Sequence, residues 1–371
     1  MESKPPLIAK EQEQEKTIHS KFIVMASSSI PNYNSLALEW FTKILKGNYD
    51  DNLVEKNDII LGISGILKCR GIFNLMFFKE EEIIDRHLAN LCPADANQNC
   101  INIQSALVYN SSSTFDKLKN VSNLHIGRST EIEELNDRVK KAAAPQIENL
   151  VDTGAGENCI MLLVTATRFE DKWIEKFNYE GERPFHKNSS QSIDLHYYSG
   201  YSRGGFLFNL ENDGIPFDII EIPLGSNKFV VFLPKAKRIV TNWVEELSNF
   251  DIDAALASVK PADDGHYKII IPRFKFENKV KNLERFLIDT EVYKQNEIQP
   301  PTNITCTSRA EIELTEWGLR TASVTEGIQH DGCIRRNIYK EIILDRPFMF
   351  LTLEQKTNRI IDIGVYCGNN N

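Results

Sequence analysis

The chain has 371 residues, 42% hydrophobic and 26% charged, a composition that fits a folded globular protein and excludes collagen-like, coiled-coil and wholly disordered classes. Its 43 Lys+Arg against 52 Asp+Glu give a net charge of −9 without long runs of one sign. Neutralising phosphate needs clustered cations, so neither nucleic acid nor a membrane surface is an expected partner.

Residues 1–20 are polar, carry two prolines and alternate Glu, Gln and Lys, which predicts a loose tail before a single domain over 21–371. They contain no apolar stretch of a secretory leader, and no later segment approaches the ~20 apolar residues of a membrane span. A cytoplasmic location, or export by a route without a conventional leader, is therefore expected. Seven cysteines, at 69, 92, 100, 159, 306, 333 and 367, are odd in number and scattered, which suits reduced thiols better than a disulfide scaffold. The sequons at Asn110, Asn120, Asn188 and Asn303 would matter only in a secreted form.

From Asn34 to about Gly47, Leu36, Leu38, Trp40, Phe41, Ile44 and Leu45 recur at helical spacing, and Gly47 is a natural terminator. A second helix is predicted over Glu131 to Leu150, with Ile132, Leu135, Val139, Ala143 and Ile147 on one face and Pro145 bending or interrupting it. The run CIMLLVTATRF, 159–169, is too short for a span and rich in Val, Leu and Thr, as a strand buried on both faces is. Further strands are predicted at 217–224, 227–234, 267–277, 346–354 and 358–366, with helical segments at 240–247, 253–258 and 282–290. Neither an internal repeat nor a Gly/Ser linker divides this region. The pattern predicts a sheet-dominated α+β domain.

Catalytic motifs are few. Gly200-Tyr201-Ser202-Arg203-Gly204 satisfies the nucleophile-elbow pattern, but that elbow needs a helix after it, and GGFLFN reads as another strand. The histidines (19, 87, 125, 186, 196, 266, 330) form no H-E-x-x-H, and Cys92 and Cys100 lack a second close pair to complete a zinc site. Gly154-Ala155-Gly156 lacks the third glycine of a dinucleotide fingerprint. No metal, no cofactor and no catalytic residue are expected.

The informative region lies near the C-terminus. AEIELTE, 310–316, alternates apolar Ile312 and Leu314 with Glu311, Glu313 and Thr315, a strand with one buried face. After Trp317-Gly318 come small and uncharged residues, then a polar run, before the strand at RPFMFL. A linker of roughly 30 residues between two strands is too long for an ordinary loop in a compact domain, which favours a functional one.

Several segments, taken together, resemble the serpin family. Asp345-Arg346-Pro347-Phe348 and the closing NRIIDIGVY look like its C-terminal strand pair, and IIIPRFKFE is similar to its Pro-Arg-Phe strand. Leu135-Asn136-Asp137-Arg138-Val139 is similar to the start of the helix across the main sheet. VTATRFEDKW resembles the central strand that ends in the family's sheet-top tryptophan, here Trp173, and GGFLFN and VVFLP fall in order. The likeness runs from about 135 to 366 and is faint before that.

The resemblance implies three β-sheets, eight or nine helices and an exposed reactive-centre loop, here about 317–344. It implies a suicide inhibitor and no enzyme. A target protease, expected to be of the serine class, would cleave the loop and be held as a covalent acyl-enzyme by a monomeric inhibitor, while the loop joins the main sheet as a new strand. The alternative is a non-inhibitory member of the family that binds a protein or a ligand.

Strand periodicity tests whether insertion is feasible. One alternate set after Glu316 is Leu319, Thr321, Ser323, Thr325 and Gly327; the other is Arg320, Ala322, Val324, Glu326 and Ile328. The first carries no charge and can face the core. The implied hinge thus includes Glu316, Gly318, Leu319, Thr321, Ala322, Ser323 and Thr325. Leu319 and Arg320 depart from the small or hydroxyl residues usual after the family's hinge glycine, which predicts slower insertion. The polar cluster that controls sheet opening in the family maps to Gly62, Gly65, Thr165 and Ser308, so most of that lock's hydrogen bonds are expected to be missing. Counting the family's spacing from Glu316 brings the scissile bond to Gly332–Cys333, or to Asp331 in a loop one residue shorter. Counting back from Pro347 extends the range to Arg335 and Arg336. An arginine would suit a trypsin-like protease and Asp331 an aspartate-specific one.

Overall fold

The computed structural model describes residues 33–50, 58–77, 100–109, 123–143, 150–152, 161–202, 204–207, 217–235, 250–261, 266–280, 304–320 and 338–369, with residues 118, 121, 247 and 283 singly. A few masked positions, such as 122 and 203, interrupt or border these stretches. In chain order the first elements are α1 (Tyr33–Asp50), β1 (Ile59–Gly62), α2 (Ile63–Phe77), β2 (Ile101–Tyr109), β3 (Leu124–Arg128) and α3 (Ile132–Ala143). There follow β4 (Met161–Phe169), β5 (Asp171–Lys172), β6 (Asn178–His186), β7 (Ser192–Ser202), β8 (Gly205–Leu207), β9 (Phe217–Pro223) and β10 (Asn227–Pro234). Next come α4 (Ile252–Ala257), β11 (Lys260–Pro261), β12 (His266–Pro272) and β13 (Phe274–Val280). The chain closes with β14 (Ile304–Thr315), β15 (Gly318–Arg320), β16 (Ile338–Ile343), β17 (Phe348–Glu354) and β18 (Ile360–Tyr366).

These strands form three sheets, in the orders β1-β18-β17-β10-β9-β8-β11, β16-β12-β7-β6 and β3-β2-β4-β14-β15-β5, the last with β13 on the other flank of β14. The third is the main sheet. Its inner face sends Leu107, Met161, Leu163, Ile304 and Cys306 into a core shared with α1, α2 and the first sheet. Farther along, Phe169, Ala310, Ile312 and Leu314 meet Trp173, Phe177, Phe229 and Phe350. On its outer face Ala106, Val108, Leu162, Val164 and Ala166 lie under Ile132, Leu135 and Val139 of α3. Both faces of β4 are thus covered, which is why it is buried almost throughout, with apolar residues and threonines rather than an apolar/polar alternation.

Local chemistry explains the helix ends. α3 has Glu133 and Glu134 in its first turn and Lys140 and Lys141 in its last, both signs matching the helix dipole. It ends at Ala143, ahead of Pro145. Asn136 holds the chain beyond it by donating to Val151 O (2.8 Å) and accepting from Val151 N (3.0 Å). α4 is capped by Asp251, whose carboxylate accepts from Ala254 N.

The structure differs from the sequence reading at 267–277 and at 317–344, and agrees with it after Ser202. The stretch 267–277 is two strands in two sheets, β12 and β13, because Pro272 has no N–H to continue the ladder and Arg273 N turns to His196 O. Ser202 closes β7 and is followed directly by β8, so no helix completes a nucleophile elbow there. The region read as loop from 317 to 344 has strand at both ends: β15 lies in the main sheet and β16 pairs in parallel with β12. Among the described residues there are four α-helices, and the segments 240–247 and 282–290 fall almost wholly outside them. Cys69, Cys100, Cys306 and Cys367 are free thiols, and no helix among the described residues is long and apolar enough to cross a membrane.

Candidate functional site

The site is the turn where β14 passes into β15. Thr315 pairs with Gly318, leaving Glu316 and Trp317 as a two-residue turn. The Thr315 hydroxyl closes it, donating to Gly318 O (3.1 Å) and accepting from Trp317 N (3.2 Å). Trp173 anchors it from the side, with Nε1 donating to Thr315 O at 2.9 Å and its backbone N–H donating to Trp317 O at 3.0 Å. Phe177 N donates to Glu316 O, and the Lys176 ammonium stands 3.7 Å from the centre of the Trp317 ring. Burial, reinforced by the charge of Glu316, pushes the Tyr198 phenol up, and the two side chains are hydrogen-bonded.

Past the turn, β15 lies between two strands. On one side Leu319 pairs with Leu314 and Arg320 with Glu313; on the other Gly318 pairs with Lys172 and Leu319 with Asp171. Glycine is required at 318, since a Cβ there would come 2.1 Å from Asp171 O. Leu319 is fully buried among Leu314, Trp173 and Phe274. Asp171, itself buried, is held in place by accepting from Lys172 N, Ser226 N and Asn227 Nδ2 at 2.7–3.0 Å. The first residues of the segment are already a strand of the main sheet.

Farther down, β4 and β14 pair directly and in parallel, from Met161 with Ile304 to Thr167 with Ala310. Ser105 on β2, Thr165 on β4 and Ser308 on β14 lie side by side across the sheet. The Thr165 hydroxyl donates to Gln104 O (3.3 Å), whereas the buried hydroxyls of Ser105, Thr167 and Ser308 have no partner among the described residues. Gly62 and Gly65 face this row. A Cβ on Gly65 would come 2.4 Å from Thr167 Oγ1 and 2.9 Å from Thr165 Oγ1, so the strand threonines fill the space that side chains on α2 and β1 would need.

Of the residues singled out in the sequence, Trp173, Glu316, Gly318 and Leu319 meet at the turn, and Gly62, Gly65, Thr165 and Ser308 meet at the seam. Thr321, Ala322, Ser323, Thr325, Asp331, Gly332, Cys333, Arg335 and Arg336 lie outside the described residues. Sequence reasoning missed Asp171, Thr167 and the closing role of Thr315. Only the last has a local signal, a hydroxyl residue immediately before a two-residue turn.

A fold of three sheets in which the strand after β14 turns back into the main sheet defines a class. The family model for "Serpin (serine protease inhibitor)" matches residues 102–368, more than half of the chain, and the chain belongs to the serpin family. It is a divergent member. It is 24% identical over 256 residues to Serpin B5 of Xenopus tropicalis, covering 63% of this chain and 64% of that protein. It is 25% identical over 248 residues to plasminogen activator inhibitor 1 of Sus scrofa, covering 62% and 60%. These alignments span less than two thirds of either relative. Among solved structures, thyroxine-binding globulin in complex with thyroxine superposes with a TM-score of 0.70 at 15% identity, covering 91% of this chain and 99% of that one. Mouse protein-Z dependent protease inhibitor gives 0.64 at 15% identity, covering 91% and 96%.

Proposed function

We propose that the chain is a trapping inhibitor of a serine-class protease, with its bait between His330 and Arg336. The observation that carries this reading is β15. Its residues occupy a lane between β14 and β5 with Leu319 inward, the phase that keeps Arg320 and Glu326 out of the core if the strand is extended. In the trap the protease hydroxyl attacks the scissile carbonyl, the amine of the downstream fragment leaves with a proton, and the ester to this chain persists. The chemistry is the protease's. This chain supplies the bait and the strand, and is no enzyme.

Extension of β15 would add on the order of ten ladder hydrogen bonds at ~0.5–1.5 kcal/mol each. Cleavage of the loop is therefore expected to raise the melting temperature by roughly 10–20 °C. A protease panel, read by SDS-resistant complexes and by mass spectrometry of the cleaved loop, tests the proposal and selects among Asp331, Gly332–Cys333, Arg335 and Arg336. A second reading, a binding module without inhibitory activity, is favoured by the bulk of Leu319 at the hinge and by the likeness to thyroxine-binding globulin. No complex with any protease, together with no thermal gain on cleavage, would select that reading.

A further inference from the structure

A cleft of about 320 Å3 opens beside the β14–β15 turn, lined by Lys176, Phe177, Asn178, Tyr179, Tyr198 and Glu316. The stretch from β5 into β6 supplies the first four of these, β7 supplies Tyr198 and the turn supplies Glu316. Its volume lies at the lower end of small-molecule sites, with room for one ring and a short polar head. Phe177 and Tyr198 are buried, but Tyr179 is 63% exposed, an open aromatic surface on an otherwise polar rim. The Tyr179 and Tyr198 rings stand edge to face with centres 6.4 Å apart, and the Tyr179 hydroxyl is tied to His196 Nδ1 at 2.9 Å. The open ring is therefore held at both ends rather than free to swing.

The cleft carries one charge of each sign, and the two do not neutralise each other: among the described residues neither Lys176 nor Glu316 forms an ion pair. Glu316 is fixed by the Tyr198 phenol and by its own backbone O, which accepts from Phe177 N at 3.1 Å. Lys176 rests its ammonium 3.7 Å from the centre of the Trp317 ring, a contact that attracts the charge but offers no oxygen to its three donors. A simple anion in this space would meet Glu316, and a simple cation would meet Lys176, so either is repelled by one wall. A ligand bearing both charges satisfies both walls. We propose that the cleft binds a small aromatic zwitterion, an α-amino acid whose carboxylate accepts from Lys176, whose ammonium donates to Glu316 and whose ring packs on Tyr179. The site uses only the turn, β6 and β7 as they stand, so it is independent of whether the loop inserts.

The test is a ligand-observed NMR titration of the full chain with L-phenylalanine as probe, beside 3-phenylpropanoate, which lacks the ammonium, 2-phenylethylamine, which lacks the carboxylate, and glycine, which lacks the ring. Phenylalanine should bind with a Kd on the order of 1 mM, as suits a ligand of its size, and each of the other three about tenfold more weakly. Glu316→Gln should weaken phenylalanine about tenfold and leave 3-phenylpropanoate no weaker than before; Lys176→Gln should do the converse, sparing 2-phenylethylamine. Tyr179→Ala should weaken all three aryl probes by about fivefold. Melting curves check that each variant folds, and Tyr179→Ala, at an exposed ring, keeps the test decisive should a turn variant fail to fold. Equal affinities for the three aryl probes would reduce the cleft to an apolar patch and overturn the proposal. Unchanged phenylalanine binding in the variants, or no saturable binding to wild type, would overturn it too.

Discussion

β17–β18 and β4–β14 are both central strand pairs, and both are buried. Every residue of β17 and β18 is buried, and Phe348, Phe350 and Tyr366 pack with Phe274 at ring separations of 4.7–6.3 Å. The ionisable side chain between these strands, Asp362, accepts from the Thr352 hydroxyl at 2.8 Å, and that hydroxyl accepts from Asp362 N at 3.0 Å. Across β4–β14 the inner face instead carries Thr165, Thr167 and Ser308, and two of those three hydroxyls have no partner among the described residues. Burial of both inner faces thus conceals unequal commitment. One pair is sealed by aromatic packing and satisfied polar groups, and the other holds buried donors whose needs the closed sheet does not meet.

The harshest way to break the comparison is a cavity in the sealed pair. Phe350 lies between Phe229 and Phe274, with ring separations of 5.5 and 5.9 Å, so Phe350→Ala should cost about 3–5 kcal/mol in denaturant unfolding. The smaller truncation at the seam, Thr167→Ala, which removes a methyl and an unmet hydroxyl, should cost far less.

Acidity sharpens the contrast next. Burial pushes the Asp362 carboxyl up from 3.8 to about 7, so the folded state favours its protonated form. With the folded value above the unfolded one, stability falls as pH rises from about 4 through about 7. The wild type should therefore be more stable at pH 5 than at pH 8, with Asp362 contributing on the order of 2–3 kcal/mol of that difference. Asp58, pushed up to about 6 by burial, acts in the same direction. Asp362→Asn should flatten the profile around pH 7 and leave the part due to Asp58.

At the hinge, Leu319→Asp places a charge in the buried lane beside Asp171. The expected result is release of β15 to solvent, at a cost on the order of 2 kcal/mol and with loss of amide-exchange protection from Gly318 to Arg320. Retained protection would show that β15 is held by its backbone pairing alone. The smallest effect is the most direct: one isosteric change should have opposite signs in the two pairs. Thr352→Val strips Asp362 of its hydroxyl partner and should destabilise by about 1–2 kcal/mol, whereas Thr167→Val removes an unmet hydroxyl and should stabilise by up to about 1 kcal/mol. Matching signs in equilibrium unfolding would erase the distinction drawn between the pairs.

Much of this was legible along the chain. The helical stripe of α1, the Val-, Leu- and Thr-rich run of β4, the alternation in β14 and the uncharged phase beginning at Leu319 are local patterns that the sequence carries by itself. The tertiary structure decided the partners. That Ser308 lies beside Thr165, that Gly65 leaves its space to Thr167, that Asp171 flanks Leu319 and that 267–277 divides between two sheets are facts of register between strands far apart in sequence. Register is set by the sum of many lateral contacts, and whether a buried hydroxyl is satisfied depends on the neighbour that register delivers, which no single segment encodes.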